Sequence, residues 1–318
     1  MSAHARYDEV VARSPQGSIF STSWWLDAVA GSEWQPNLVE DGELAAAWPT
    51  VVQSSRWGPV HMGASLSPFL GPLLPAHDDG KRRWTMAERA LELLLEEVEP
   101  YAHMEARCHP SFSYWTPLSW HGFTQTTKYT WRLEDLRDLG ETEASMRPNI
   151  RGDMRKARKQ GVSIEVGDLQ EFLALHARST NGRGELADRT RQVLGQIDVP
   201  AGERNARRVL VARGEDREPH AAGYFVWDET AVYYLAGAGD AALRSSGATS
   251  LLIWTAIELA AELDNAFDFE GSMIPSIERF FRAFGGAPTA YSVVRHTPCA
   301  GLRGERALKR TLRRGSRH

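Results

Sequence analysis

The stretch from Ala231 to Glu270 constrains this chain more than any other. The run Ala231–Ala236 has the composition of a strand. A glycine-bearing loop, GAGDAALRSSGATS, follows and leads into a helix whose buried side carries Leu252, Ile253, Ala256, Ile257, Leu259, Ala260 and Leu263. A second strand, Ala266–Glu270, comes next. A strand that ends in such a loop and feeds a helix N-terminus exposes backbone N–H groups that have no intrahelical partner. Together with the helix dipole they favour an anion.

The elements around this stretch extend the pattern. Upstream, Arg147-Pro148 opens a helix that Gly161 ends. Ile150, Met154 and Ala157 share one of its faces, and Arg147, Arg151, Arg155 and Arg158 or Lys159 share a neighbouring one. Val162–Val166 reads as a strand, Asp168 with Glu171 caps the next helix, and Arg208–Arg213 and Ala221–Trp227 read as strands. A helix at Pro275–Phe284 and a strand at Thr289–Arg295 follow. A similar order recurs in the first half. It has a helix at Trp24–Val29, strands near Asn37–Glu40, Leu44–Val52 and Trp57–Met62, and a Pro/Gly connector, GASLSPFLGPLLP. A helix with a Thr85–Glu88 capping box comes next, then strands at Tyr101–Arg107 and Lys128–Leu133. The repetition predicts two domains, 1–135 and 136–297, with 298–318 packing on the first.

A chain of 318 residues has room for two such cores. No apolar run is long enough to cross a bilayer, and MSAHARYDEVVARSPQGS has no apolar h-region, so neither a membrane span nor a secretory leader is expected. Cys108 and Cys299 alone cannot make a disulfide framework, which fits a reducing cytoplasm. The net charge of −4 conceals two basic clusters. Residues 147–159 hold six basic groups against Asp153, and residues 303–318 hold seven against Glu305. Clusters of this kind suit phosphate or nucleic acid, and equally a solvated helix face and a frayed tail.

Four segments carry a family resemblance. They are FSTSWWLDAV, SPFLGPLLP (with Leu70 where arginine is usual), RGDMRKARKQGV and FDFEGSMIPSIERFFRAFGG. The chain resembles the Fem-type peptidyl and aminoacyl transferases and the BioF2-like acetyltransferases of the GNAT superfamily. The resemblance implies an α/β (α+β) fold of two tandem GNAT-like domains, each a mixed, mostly antiparallel sheet flanked by helices. It also implies acyl transfer to an amine of a small molecule or peptide by direct attack. The donor would be aminoacyl-tRNA, as for Fem enzymes, or acetyl-CoA in the alternative. A third reading is a non-catalytic RNA-binding module. No tightly bound cofactor is expected.

The candidate site residues fall in three groups. Arg244, Ser246, Gly247, Ala248 and Thr249 form the donor-binding loop. It keeps the arginine and first glycine of the Q/R-x-x-G-x-G/A pattern that GNAT enzymes use for coenzyme A, but has Thr249 at the second small position. Glu270 is the candidate general base, Asp268 the second choice, and Tyr234 or its neighbour Tyr233 a candidate acid. Strand alternation would put Asp268 and Glu270 on one side and Phe267 and Phe269 on the other. Ser272 is read as a helix cap and His176 as a core residue. Arg147, Arg151, Arg155, Lys156, Arg158 and Lys159 are the RNA- or phosphate-binding candidates. The histidines lack H-x-x-x-H and H-E-x-x-H spacing, so no metal is expected. The first half lacks a phosphate loop, since Pro72 and Pro75 have no N–H to offer, and would shape the acceptor pocket. Trp24, Trp25, Trp48 and Trp57 would divide between its core and a cleft.

Overall fold

A computed structural model describes residues 2–76, 80–179, 184–271 and 273–306. The chain divides into two compact units, residues 1–128 with the described residues from Tyr291 onward, and residues 129–290. Passage from the first unit to the second occurs inside one strand, and the return occurs inside another.

The first unit opens with helices α1 (Ala3–Arg13) and α2 (Ser23–Ala30) and strands β1 (Trp34–Gln35), β2 (Leu38–Asp41), β3 (Leu44–Ala47), β4 (Thr50–Gln53) and β5 (Val60–Met62). Helix α3 (Gly80–Glu97), β6 (His103–Arg107), α4 (Thr116–Trp120) and β7 (Thr124–Leu133) follow. The expected strand Leu44–Val52 is two strands, because Trp48-Pro49 interrupts the ladder and proline donates no hydrogen bond. Helix α3 starts ahead of Thr85, so the expected capping box at Thr85 and Glu88 does not form. Lys81, Arg82 and Arg83 are good helix formers, and Trp84 anchors the extra turn against Tyr114, with ring centroids 5.0 Å apart. Ala90, Leu91 and Leu94 bury against Trp48, Met104, Phe112 and Leu118. Trp25 and Trp48 are fully enclosed, while Trp57 is exposed.

The Pro/Gly connector between β5 and α3 is folded into this unit. Leu70 and Leu73 make isolated bridges to Arg107 and Ala47, and Phe69, Leu70 and Leu73 are buried. A side chain at Gly71 would sit 2.9 Å from the Cys108 Cα, so only glycine lets the connector lie this close.

The second unit contains the end of β7, α5 (Leu139–Ser145), α6 (Pro148–Lys159), β8 (Ser163–Gly167), α7 (Leu169–Arg178) and α8 (Glu185–Glu203). It continues through β9 (Arg207–Arg213), β10 (Pro219–Trp227), β11 (Ala231–Gly239), α9 (Ala248–Glu262), β12 (Ala266–Asp268), α10 (Pro275–Arg282) and the start of β13 (Ala287–His296). Its strands lie in the order β7-β12-β11-β10-β9-β8. All neighbours are antiparallel except β11 and β12, which α9 joins as a parallel crossover. The apolar face of α6 (Ile150, Met154, Ala157) shares a core with Leu252, Ile253, Ala256 and Ile257 of α9 and with Phe225, Phe267 and Phe269. Helix α7 carries the expected Asp168–Glu171 capping box.

The first unit repeats the scheme in the order β1-β4-β5-β6-β13. Antiparallel β4 and β5 lead through α3 to β6, which is parallel to β5, and β13 then adds antiparallel to β6. Each unit thus has a mixed sheet in which a helix joins two parallel neighbouring strands. Among the described residues no helix is long and apolar enough to cross a membrane.

Candidate functional site

Strand β11 delivers the chain to a single turn of 3-10 helix, Arg244–Ser246, and then to Gly247 at φ 78°. Gly247 is the N-cap of α9 and offers no side-chain cap. By contrast α5 and α7 are capped by Asp138 and Asp168. The Ala248 N–H donates to the Ser246 hydroxyl at 3.3 Å, and the α9 N-terminus otherwise keeps the positive dipole end that attracts anions. Ser246 and Ala248 are buried, Thr249 is half-buried and Arg244 is exposed.

Helix α6 lies directly against this loop. A Cβ on Gly247 would meet the Asp153 carbonyl oxygen at 2.2 Å, so glycine is required by both its φ and its contact. The Lys156 ammonium donates to the Ser245 carbonyl, and the Ser250 hydroxyl lies 3.4 Å from an Asp153 carboxylate oxygen. The basic stripe and the loop, far apart in sequence, thus form one surface. Arg151 is half-buried; Arg147, Arg155, Lys156, Arg158 and Lys159 are exposed. Among the described residues none of these six makes an ion pair. Arginines elsewhere in the unit are braced, as Arg213 is by Glu165 and Glu171.

The exit of β12 forms a second constellation. Asp268 is fully buried. Its Oδ1 accepts the Thr130 hydroxyl at 2.5 Å and the Glu270 backbone N–H at 2.7 Å, while Oδ2 faces Arg132 Nη1 at 3.3 Å. Arg132 also reaches Glu134 at 2.8 Å. Burial pushes the Asp268 carboxyl above its ordinary range, against the pull of Arg132 and Thr130. The strand ends at Asp268, and Glu270 and Gly271 take left-handed conformations, φ 57° and 61°. The expected alternation of Asp268 with Glu270 is therefore broken. The reason lies in the neighbouring strand, because Gly271 passes so close to β7 that a Cβ would lie 2.4 Å from the Tyr129 carbonyl oxygen. Phe267 and Phe269 both enter the core. Glu270 is half-buried, with Oε1 sealed from solvent.

Tyr233 is fully buried and donates to Asp228 at 3.0 Å. Tyr234 stacks on Phe225 at 5.3 Å and meets Phe281 edge-on, with its hydroxyl against Gly237. Burial pushes its pKa up to about 12, so it remains a proton donor at neutral pH. His176 is buried and stacked on Phe172. Among the described residues no three His, Cys, Asp or Glu side chains converge on a metal position. Ser272 and the basic tail residues Lys309, Arg310, Arg313, Arg314 and Arg317 lie outside the described residues. Thr130 and Arg132 escaped the sequence reading, because nothing in TKYTWRLE marks them until β7 pairs with β12.

Comparison with known proteins agrees with this architecture. Residues 144–274 match the family described as an acetyltransferase (GNAT) domain. No curated protein matches the sequence. Among solved structures the chain is similar to FemX, with 11% identity, 92% of this chain and 96% of that one covered, and a TM-score of 0.67. It is also similar to a conserved protein of unknown function from Bacteroides thetaiotaomicron (11% identity, 92% and 97% covered, TM-score 0.59). L-PGS from Bacillus licheniformis is a third (9% identity, 97% and 95% covered, TM-score 0.53). At such identities the likeness is one of fold. Residues 144–274 thus carry the match to a GNAT acetyltransferase domain, and the chain as a whole has the fold of FemX and L-PGS.

Proposed function

We infer that the protein transfers an aminoacyl group from aminoacyl-tRNA to an amine of a small molecule or peptide. The observation that carries this reading is the joint surface of α6 and the α9 N-terminus, where six basic residues that make no ion pair among the described residues flank a helix end whose N-cap offers no side chain. A coenzyme A pyrophosphate needs the loop but not a stripe along a twelve-residue helix. A tRNA acceptor stem can use both, with its phosphates on the stripe and its 3′ end at the loop. Fem-type enzymes, which the sequence resembles, use such donors. The acetyl-CoA reading rests on the Arg244–Gly247 half of the coenzyme A pattern and is the principal competitor.

In this reading the acceptor amine attacks the ester carbonyl directly. Glu270 takes the proton from the attacking nitrogen, and the leaving ribose oxygen receives a proton as the ester bond breaks. Asp268 acts through Glu270 by fixing its backbone N–H, and Arg132 faces Asp268 and opposes the upward push of burial on its carboxyl. Tyr234 supports the loop strand by packing, and its high pKa keeps it available as a donor. The first unit is read as a degenerate tandem copy on the acceptor side. The space that a phosphate loop would use after β5 is taken by its own connector.

The test offers the purified protein labelled acetyl-CoA or a pool of charged tRNAs, each with a mixture of amines. Transfer from tRNA that ribonuclease abolishes is the expected result. Transfer that needs acetyl-CoA and survives ribonuclease would replace this reading with the coenzyme A one. Transfer from neither donor, with tRNA still bound, would favour the RNA-binding module.

A further inference from the structure

A group of charges on the first unit is left without compensation. Strands β6 and β13 pair with Arg295 opposite Glu105 and Val293 opposite Arg107. Alternation puts Glu105 and Arg107 on one face of β6, with Arg295 beside them on β13. Arg295 donates to Glu105 at 2.6 Å and to the Thr126 hydroxyl of β7 at 3.4 Å. Lys128 stands two residues beyond Thr126 on the same face. Burial lowers its pKa, and the nearby charges of Arg107 and Arg295 lower it further. All four charged residues are half-buried.

Three cations here share one carboxylate, an excess of two positive charges. Among the described residues Glu105 pairs with Arg295, and the side chains of Arg107 and Lys128 have no ion-pair or hydrogen-bond partner. Arg213, also half-buried, is by contrast braced by both Glu165 and Glu171. Partly desolvated like charges raise the free energy of the fold unless an anion joins them.

We propose that Arg107, Lys128 and Arg295 form a site for a phosphate-type dianion carried by a small phosphorylated acceptor. The excess of two charges matches a phosphate monoester at neutral pH. The three cations stand on three adjoining strands, Arg107 on β6, Arg295 on β13 and Lys128 on β7, a compact patch that suits one phosphate better than a nucleic-acid backbone. Its role toward an acceptor rests on the transferase reading above, whereas anion binding itself does not.

The test is calorimetric titration of the whole protein with inorganic phosphate, with acetate as the monoanion control. It is run on wild type, Lys128→Gln, Arg107→Gln, Lys128→Arg and the double variant Arg151→Gln/Arg155→Gln. The expected result is saturable phosphate binding that is stronger than acetate binding. Its Kd should rise at least tenfold in Lys128→Gln and Arg107→Gln, and stay within threefold of wild type in Lys128→Arg. The double variant, altered only in the second unit, should retain it. No saturable binding, or binding indifferent to Lys128→Gln and Arg107→Gln, overturns the site. Lys128→Gln weakening tRNA binding while leaving phosphate binding intact would assign the patch to RNA and also overturn it. A protein that binds phosphate here but transfers from neither donor would refute the transferase reading and leave this site standing.

Discussion

Asp268 offers the sharpest test of how the site is held. Two substitutions separate its tasks. In Asp268→Asn the side-chain carbonyl can still accept from Thr130 and from the Glu270 N–H, but Arg132 loses its buried counter-charge. Removing one member of a buried pair costs about 3–5 kcal/mol. Glu134 still contacts Arg132 at 2.8 Å, so the lower end, about 3 kcal/mol, is expected. In Asp268→Ala the Thr130 hydroxyl and the Glu270 N–H also lose their acceptor, which adds about 1–3 kcal/mol for buried groups left unmade. Glu270 then loses the acceptor that fixes its N–H at φ 57°, a conformation that costs a non-glycine residue about 1–2 kcal/mol. The turn should relax, and Glu270 should leave its position. Guanidinium unfolding should rank wild type above Asp268→Asn above Asp268→Ala. With an active donor, the alanine variant should lose far more turnover than the asparagine variant at unchanged donor affinity. Equal stability and equal turnover of the two variants would refute the idea that Asp268 positions Glu270.

Four further outcomes follow from the geometry. Glu270→Gln should fold as wild type and lose turnover at least a hundredfold, in the range expected for a general base; full turnover would remove it from that role. Gly247→Ala should cost at least about 1–2 kcal/mol from its φ alone and weaken donor binding as the loop is pushed off α6, whereas wild-type melting would contradict the 2.2 Å contact with Asp153. Arg151→Gln with Arg155→Gln should flatten the plot of log affinity for tRNA against log salt by about 1–2 units, and an unchanged slope would clear the stripe of phosphate contacts. His103, fully buried and faced by Thr297, Arg306, Glu105 and Arg295, has its pKa lowered to about 4 by burial and then by Arg306. The neutral ring is the form the fold accepts, so its contribution is complete above the unfolded value near 6.5 and is lost as pH falls toward 4. Between pH 7 and pH 5 the first unit should lose about 2 kcal/mol, and His103→Gln should not show that loss.

The sequence exposed those parts of the fold that rest on local periodicity. Helix α6, with Pro148 at its start and Gly161 beyond its end, and α9, with its dense apolar run, could be read directly. Helix α8 could not, because Gly195 and Pro200 interrupt a segment whose buried residues Val193, Leu194, Ile197 and Ala201 sit among polar ones. Helix α1 was hidden for a similar reason, with only Tyr7, Val10 and Val11 buried. The two αL residues that end β12 were illegible, because the approach of Tyr129 that requires them is set by strand pairing. The same holds for Thr130 and Arg132, whose purpose depends on β12 lying beside β7.

The two units also explain why one α/β scheme gives two different surfaces. Both place a helix between two parallel neighbouring strands, β5 to β6 through α3 and β11 to β12 through α9. They differ in what fills the segment before that helix. In the second unit a short loop ends at Gly247, and α9 opens without a side-chain cap from its N-cap residue, beside the charges of α6. In the first, the connector pairs with β3 and β6, and Leu70 donates its N–H to the Arg107 carbonyl. Backbone donors used in this way cannot also bind a phosphate. The first unit's excess positive charge stands instead on the sheet itself, at Arg107, Lys128 and Arg295. In the proposed reading, an anion on the second unit would be met by backbone and a helix end, which would tolerate a bulky polymeric donor. On the first it would be met by three side chains, a geometry that selects a single compact group.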